Sequence, residues 1–214
     1  MINPLLQEWK TPFSAPPFTD IEPSHFKPAV EEAIKSAMEE IARITDDPDL
    51  PAFINTIAPL DSAGDTLGKI TSILFNLNSA ETNKELQNVA QEVSPMLTRF
   101  SNDITLNAKL FERIVKIFKN KENSGLTTEQ KILVERKYRN FLLGGAGLKD
   151  EDRKRFREIS EELATLSLKF DENVLEETNS FLLHLTDKKD LAGLPDGIVQ
   201  HEWRVKLDCH SGIF

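Results

Sequence analysis

No glycine stands between Lys69 and Ser124. Glycine is the residue that most readily ends or weakens a helix, so its absence there predicts long, unbroken helices. Cysteine occurs once, as Cys209. One thiol excludes an internal disulfide and fits a reducing compartment. No apolar run approaches the roughly 18 residues of a membrane span. The first residues, "MINPLLQEWKTPFSAPPF", lack the basic start and apolar run of a signal peptide. Positive charge is in deficit, with 26 Lys and Arg against 35 Asp and Glu, for a formal net charge of −9. Such a surface repels nucleic acid and anionic membranes, so neither is expected as a partner. The composition therefore indicates a soluble, cytoplasmic, acidic protein. Its 214 residues are enough for one good-sized core, arranged as one domain or two lobes.

What is present is helical periodicity. Six of the eleven prolines (Pro4, Pro12, Pro16, Pro17, Pro23, Pro28) fall in the first 28 residues. They predict an extended arm over 1–23, with Leu5, Leu6, Trp9, Phe13 and Phe18 laid against a core. From Ser24, the residues Phe26, Val30, Ile34, Met38, Ile41 and Ile44 recur at steps of three and four, which is one face of an amphipathic helix. A short helix is expected over 52–58, ending before Pro59, and another over 62–78 with Leu67, Ile70, Leu74 and Leu77 inward. Longer ones are expected over 82–103, kinked near Pro95, and over 107–120, with Leu110, Phe111, Ile114, Ile117 and Phe118 inward. "LTTEQKILVERKYRNFLLGG" carries its own punctuation. Thr127 with Gln130 forms a capping box, and Gly144–Gly145 stops the helix. A final helix of about thirty residues places Phe156, Ile159, Leu163, Leu166, Phe170 and Val174 on one face, with acids at its start. "SFLLHLTD" allows one short strand over 181–186. The fold class is thus all-α, a multi-helix array of six to eight helices spanning about 24–185. After "LAGLPDG" the pattern stops, and residues 198–214 read as an atypical tail without helix or strand period.

Candidate chemistry is sparse. The chain contains no H-E-x-x-H, no phosphate-cradling glycine loop and no G-x-S-x-G. "HEWRV", residues 201–205, comes one letter short of the zinc signature, because Val205 stands where the second His must be. His201, Glu202, Cys209 and His210 fit no common ligand spacing, and the near-match reads as coincidence. "LLGGAGLKD" precedes a helix, but Asp150, Glu151 and Asp152 disfavour an anion there, so it reads as a helix-to-helix turn. His25 reads as a cap or packing residue, and His184, among leucines, as a core residue. Glu161–Glu162 and Glu176–Glu177 are neighbours about 100° apart on a helix and cannot pair as acid and base. Arg153, Lys154, Arg155 and Arg157 alternate with acids and read as a solvated helix face.

Taken in order, "NPLLQEWKTPFSAPPFTDIEPSHFKPAVEEAIKSAMEEI", "FINTIAPLDSAGDTLGKITSILFNLNSAETNKELQNVAQEVSPMLTRFSNDI", "LTTEQKILVERKYRNFLLGGAGL" and "RFREISEELATLSLKFDENVLEETNSFLLHLTDKKDLAGLP" resemble the start of the thimet oligopeptidase family of zinc metallopeptidases. The likeness is strongest to its bacterial peptidyl-dipeptidase and oligopeptidase A branch. The resemblance covers roughly residues 3–197 and sets the domain limits: a helical peptidase-like N-terminal domain over 1–197 and the tail over 198–214. It implies the N-terminal lobe of a two-lobed helical metallopeptidase that cleaves short peptides in a narrow channel. It also implies that zinc is held by an H-E-x-x-H helix and a later Glu, all in a C-terminal half that this sequence lacks. No residue here therefore inherits a catalytic, cofactor or metal role, and no cofactor is expected in this chain. The expected identity is a non-catalytic N-terminal part, shortened by truncation or by a change of reading frame near Gly197. A stand-alone helical interaction or peptide-binding protein derived from that part is the alternative. A half-protein would expose apolar surface, so self-association is expected as well.

Because residues 198–214 have no period of their own, deleting them is expected to leave the thermal melting temperature unchanged. A loss of several kcal/mol would show that the tail is integrated into the fold.

Overall fold

The apolar face beginning at Phe26 does form a helix. α1 runs Pro23–Thr45, with Pro23 in its first turn, where a missing N–H is not needed. Further along the chain lie a π-helical turn at Phe53–Ile57, α2 (Ala58–Ser62), α3 (Asp65–Ala80), α4 (Lys84–Thr105), α5 (Ala108–Asn120), α6 (Thr128–Leu143) and α7 (Asp150–Ser180). The computed structural model describes residues 3–80, 82–181, 187, 189, 192 and 193. Among these there is no strand, and the protein is an all-α helical array. Apart from Phe181, the strand expected over 181–186 lies outside the described residues, as do His184 and the 198–214 tail. Contacts divide the chain into two units, Met1–Thr165 and Leu166–Phe214, with the boundary inside α7.

The core of the first unit forms two clusters, and α1 supplies both. Its first half places Phe26, Ala29, Val30 and Ala33 against Leu67, Ile70 and Leu74 of α3 and Leu86 and Val93 of α4. Its second half places Ile41 and Ile44 against Ile57, Leu60 of α2, Leu110 and Ile114 of α5, and Val134 and Phe141 of α6. Asparagine supplies the helix starts that glycine cannot. Asn83 Oδ1 accepts the N–H of Leu86 at 2.9 Å to open α4, and Asn107 Oδ1 accepts that of Leu110 at 3.0 Å to open α5. The capping box at Thr127 and Gln130 is formed as expected. The Thr127 N–H donates to Gln130 Oε1 at 3.0 Å and the Gln130 N–H to Thr127 Oγ1 at 3.3 Å. Between α5 and α6, Tyr138 stacks on Phe118 with ring centroids 4.0 Å apart.

Two expectations need correction. The segment expected to stop before Pro59 continues through it, because the proline falls in the first turn of α2. Gly64 then breaks the chain at φ +81°, with its N–H donating to Glu40 Oε2 at 3.0 Å. The proline-rich arm docks only in part. Leu5 is buried and Trp9 packs on the α1 core, with its Nε1–H donating to the Pro4 carbonyl at 3.1 Å. Phe13, however, is fully exposed, adopting φ +59° between Pro12 and Pro16, and Phe18 and Leu6 are exposed as well. α7 buries no side chain. Ile159 (41%), Leu163 (57%), Leu166 (53%), Phe170 (67%) and Val174 (47%), which their spacing places on one face, are open to solvent. Residues 150–165 are held instead by polar contacts from other faces of the helix. Arg157 Nη1 meets Asp103 Oδ1 at 2.6 Å, and Arg99 Nη2 meets Glu161 Oε2 at 3.1 Å.

The contrast between the α1 core and the exposed leucines is measurable. Leu74→Ala, at a fully buried site, is expected to cost about 2–5 kcal/mol in urea unfolding. Leu143→Ala, at an exposed one, is expected to stay within about 0.5 kcal/mol.

Candidate functional site

One charged residue sits on an otherwise apolar helix face. In α5, Leu110, Ile114 and Ile117 turn inward, and Arg113 turns inward with them. Its guanidinium reaches across to the segment after α1. Nε–H donates to Thr56 Oγ1 at 3.1 Å, and Nη1–H donates to the carbonyls of Asp47 at 2.8 Å and Asp49 at 3.3 Å. Nη2 has no hydrogen-bond acceptor, and the Asp47 carboxylate lies 3.7 Å from it. The group ties the bend at Asp47–Asp49 and the π-helical turn to α5, so that backbone carbonyls in a tight bend are paired. The arrangement holds the bend: Nε and Nη1 are engaged by protein oxygens, and the Asp47 carboxylate lies beside Nη2. A charged residue recurring with the apolar period of α5 was the sequence signal for it.

The residues weighed for chemistry fall into similar roles. The His25 imidazole caps α1, with Nδ1 accepting the Glu22 N–H at 3.0 Å. "LLGGAGLKD" is a helix-to-helix turn. Gly145 takes φ +91°, and Arg153 staples the turn, Nε–H donating to the Leu148 carbonyl at 3.0 Å and Nη2–H to that of Ala146 at 3.3 Å. Arg155 pairs with Glu158 at 3.0 Å and Arg157 with Asp103, so the basic run is a paired helix surface. Between α5 and α6, Lys131 Nζ lies 2.6 Å from Glu122 and holds that carboxyl below the usual glutamate range. Hydrogen bonding to Glu135 raises Lys121, whose ammonium also lies 5.0 Å over the Phe118 ring. His201, Glu202, Val205, Cys209 and His210 lie outside the described residues. Among the described residues, no three His, Cys, Asp or Glu side chains come together as a metal site would require.

Shallow grooves also mark the surface of the described residues. One of about 500 Å³ follows the seam of α4 and the start of α7, with Phe75, Leu97 and Phe156 on its apolar side and Ser94, Thr98 and Asn102 on its polar side. Another of about 400 Å³ lies between the π-helical turn and the α5–α6 connection, lined by Pro51, Phe53, Ile54, Lys116 and Gln130. Neither of these two brings together an acid, a base and a nucleophile, whereas a third, of about 360 Å³, is lined by Glu40, Arg43, Asp47 and Ser62.

Residues 30–153 match the model of a protein family described as the neurolysin/thimet oligopeptidase N-terminal domain. Dipeptidyl carboxypeptidase of Escherichia coli (strain K12) is 35% identical over 195 residues, covering 91% of this chain and 29% of that protein. Oligopeptidase A of the same strain is 33% identical over 196 residues, covering 92% of this chain and 28% of that protein. Saccharolysin of Saccharomyces cerevisiae (strain ATCC 204508 / S288c) is 22% identical over 202 residues, covering 92% and 27%. The chain thus spans less than a third of the length of the relatives it matches.

Replacing Arg113 with methionine keeps the apolar stem but strips the donors from Thr56, Asp47 and Asp49. The variant is expected to lose about 2–4 kcal/mol in urea unfolding while retaining its helical circular dichroism. An unchanged midpoint would show that the Asp47–Asp49 bend holds without it.

Proposed function

The chain belongs to the family of the neurolysin/thimet oligopeptidase N-terminal domain, and from that premise we propose that it is the helical, non-catalytic N-terminal part of a zinc-dependent metallopeptidase acting on short peptides, of the peptidyl-dipeptidase kind. The observation that carries this reading is the alignment of 91% of the chain with only 29% of a dipeptidyl carboxypeptidase. In this reading the chain supplies helical wall and support, while peptide cleavage belongs to the remainder of such an enzyme.

Zinc in a hydrolytic site needs three protein ligands and an open position. The described residues do not fit that metal, because no three donor side chains converge among them, and no step of hydrolysis is assigned to them. Short peptides are the proposed substrates of the whole enzyme, in keeping with relatives named as a carboxypeptidase and an oligopeptidase. The acidic balance and the single cysteine support a cytoplasmic setting without nucleic-acid partners. Among the described residues no helix is long and apolar enough to cross a membrane. The uncovered apolar stripe of α7 favours a second reading, a stand-alone interaction protein that pairs with a separate chain.

The test is direct. The 214-residue chain, dialysed against a mild chelator, is expected to hold no stoichiometric zinc by elemental analysis and to leave a short fluorogenic peptide uncut. One tightly held zinc per chain, with cleavage abolished both by chelator and by His201→Ala, would overturn the reading and place a hydrolytic site in the tail.

A further inference from the structure

A helix that repeats large apolar residues at alternating steps of three and four carries the pattern of one strand of a coiled coil. On α7 that repeat runs through Phe156, Ile159, Leu163, Leu166 and Phe170, with Val174 beside its continuation. Phe156 is partly covered by the seam groove, whereas Ile159, Leu163, Leu166 and Phe170 are exposed. Single exposed leucines need no explanation, but a continuous stripe on a 31-residue helix does. The charged residues along one edge of the stripe are Arg155, Glu162, Lys169 and Glu176, each a heptad apart and each exposed. Glu162, Lys169 and Glu176 have no ion-pair partner among the described residues, and Arg155 is held only by the surface pair with Glu158. Their signs alternate: plus, minus, plus, minus.

That order reads as its own complement when reversed. We propose that the exposed face of α7 is a self-association surface, on which a second copy of this chain docks its own α7 antiparallel. Setting Leu163 against the second copy's Leu166 sets Ile159 against the second copy's Phe170 in the same register. The edge positions of an antiparallel pair face one another across the seam. This register places Arg155 opposite the second copy's Glu176 and Glu162 opposite the second copy's Lys169, and the two-fold axis repeats both pairs. Each facing pair is then of opposite sign. A parallel pair sets that edge against the other one, Ser160, Ser167 and Val174, where no charge answers. A one-heptad slip of the antiparallel pair brings like charges together, Glu162 against Glu162 and Arg155 against Lys169. The charge pattern therefore selects both the orientation and the register. The net charge of −9 per chain opposes association at long range, and salt near 0.15 M, with a Debye length of about 8 Å, screens it.

The experiment is sedimentation equilibrium of the 214-residue chain across a range of concentrations in about 0.15 M salt. A reversible monomer–dimer equilibrium is expected. Phe170→Glu with Leu163→Glu, both at exposed positions, is expected to abolish the dimer while the helical circular dichroism stays unchanged. Lys169→Glu alone sets like charges across the seam and is expected to weaken the dimer by roughly tenfold or more, since the two-fold axis counts the change twice. Adding Glu162→Lys to Lys169→Glu restores opposite signs and is expected to recover the wild-type dissociation constant. A monomer at every concentration overturns the proposal, as does a dimer indifferent to Phe170→Glu with Leu163→Glu. A Lys169→Glu defect that Glu162→Lys fails to rescue overturns the antiparallel register.

Discussion

The structure depends on the burial of a single helix face. α1 carries Phe26, Ala29, Val30 and Ala33 into one cluster and Ile41 and Ile44 into another, and each of these side chains is almost wholly removed from water. At about 1.5 Å per residue, 23 residues extend roughly 35 Å, long enough for α3 and α4 to pack on one end and α5 and α6 to interact at the other. The alanines at 29, 33 and 37 keep the face narrow, which allows neighbouring backbones to approach closely. Without α1, each remaining helix group would present an apolar surface with nothing opposite it.

Polar groups in the described part of the molecule shape the chain. Arg113 ties the bend at Asp47–Asp49 to α5. Arg153 pairs the carbonyls of the glycine turn, and His25 caps the first helix. A catalytic centre differs in kind, because it leaves an acid, a base or a cation free to meet a substrate. The family match covers an N-terminal domain, over residues 30–153 of this chain. Fold and chemistry are separable, and the activity of a family resides in its site.

α7 shows how the same periodicity can mean two different things. An apolar row at helical spacing normally reports burial against the chain's own core, as it does for α1 and α5. On α7 the row is complete, yet the helix uses other faces for its contacts, through Arg157–Asp103 and Arg99–Glu161. Among the described residues nothing covers the row. A palindromic order of charge along its edge gives the exposed stripe a partner of defined orientation, as no scattered apolar patch would.

Much of the fold was legible in the sequence because local rules governed it. The three- and four-residue period marked α1, α3 and α5, and the stretch without glycine marked α4. Thr127 and Gln130 marked the start of α6, and the glycine pair marked its end, each through hydrogen bonds or dihedrals that involve only nearby residues. The family was legible too, in the order of its segments. Tertiary structure decided what periodicity cannot express: which apolar rows find a partner. It buried the row of α1 and left that of α7 in water, and it turned Phe13 outward although proline and aromatic content suggested docking. It also drew Arg113 inward, because the carbonyls it satisfies belong to a bend more than sixty residues earlier in the chain. The period of a sequence determines that a face exists, and only the packing of distant segments determines what lies against it.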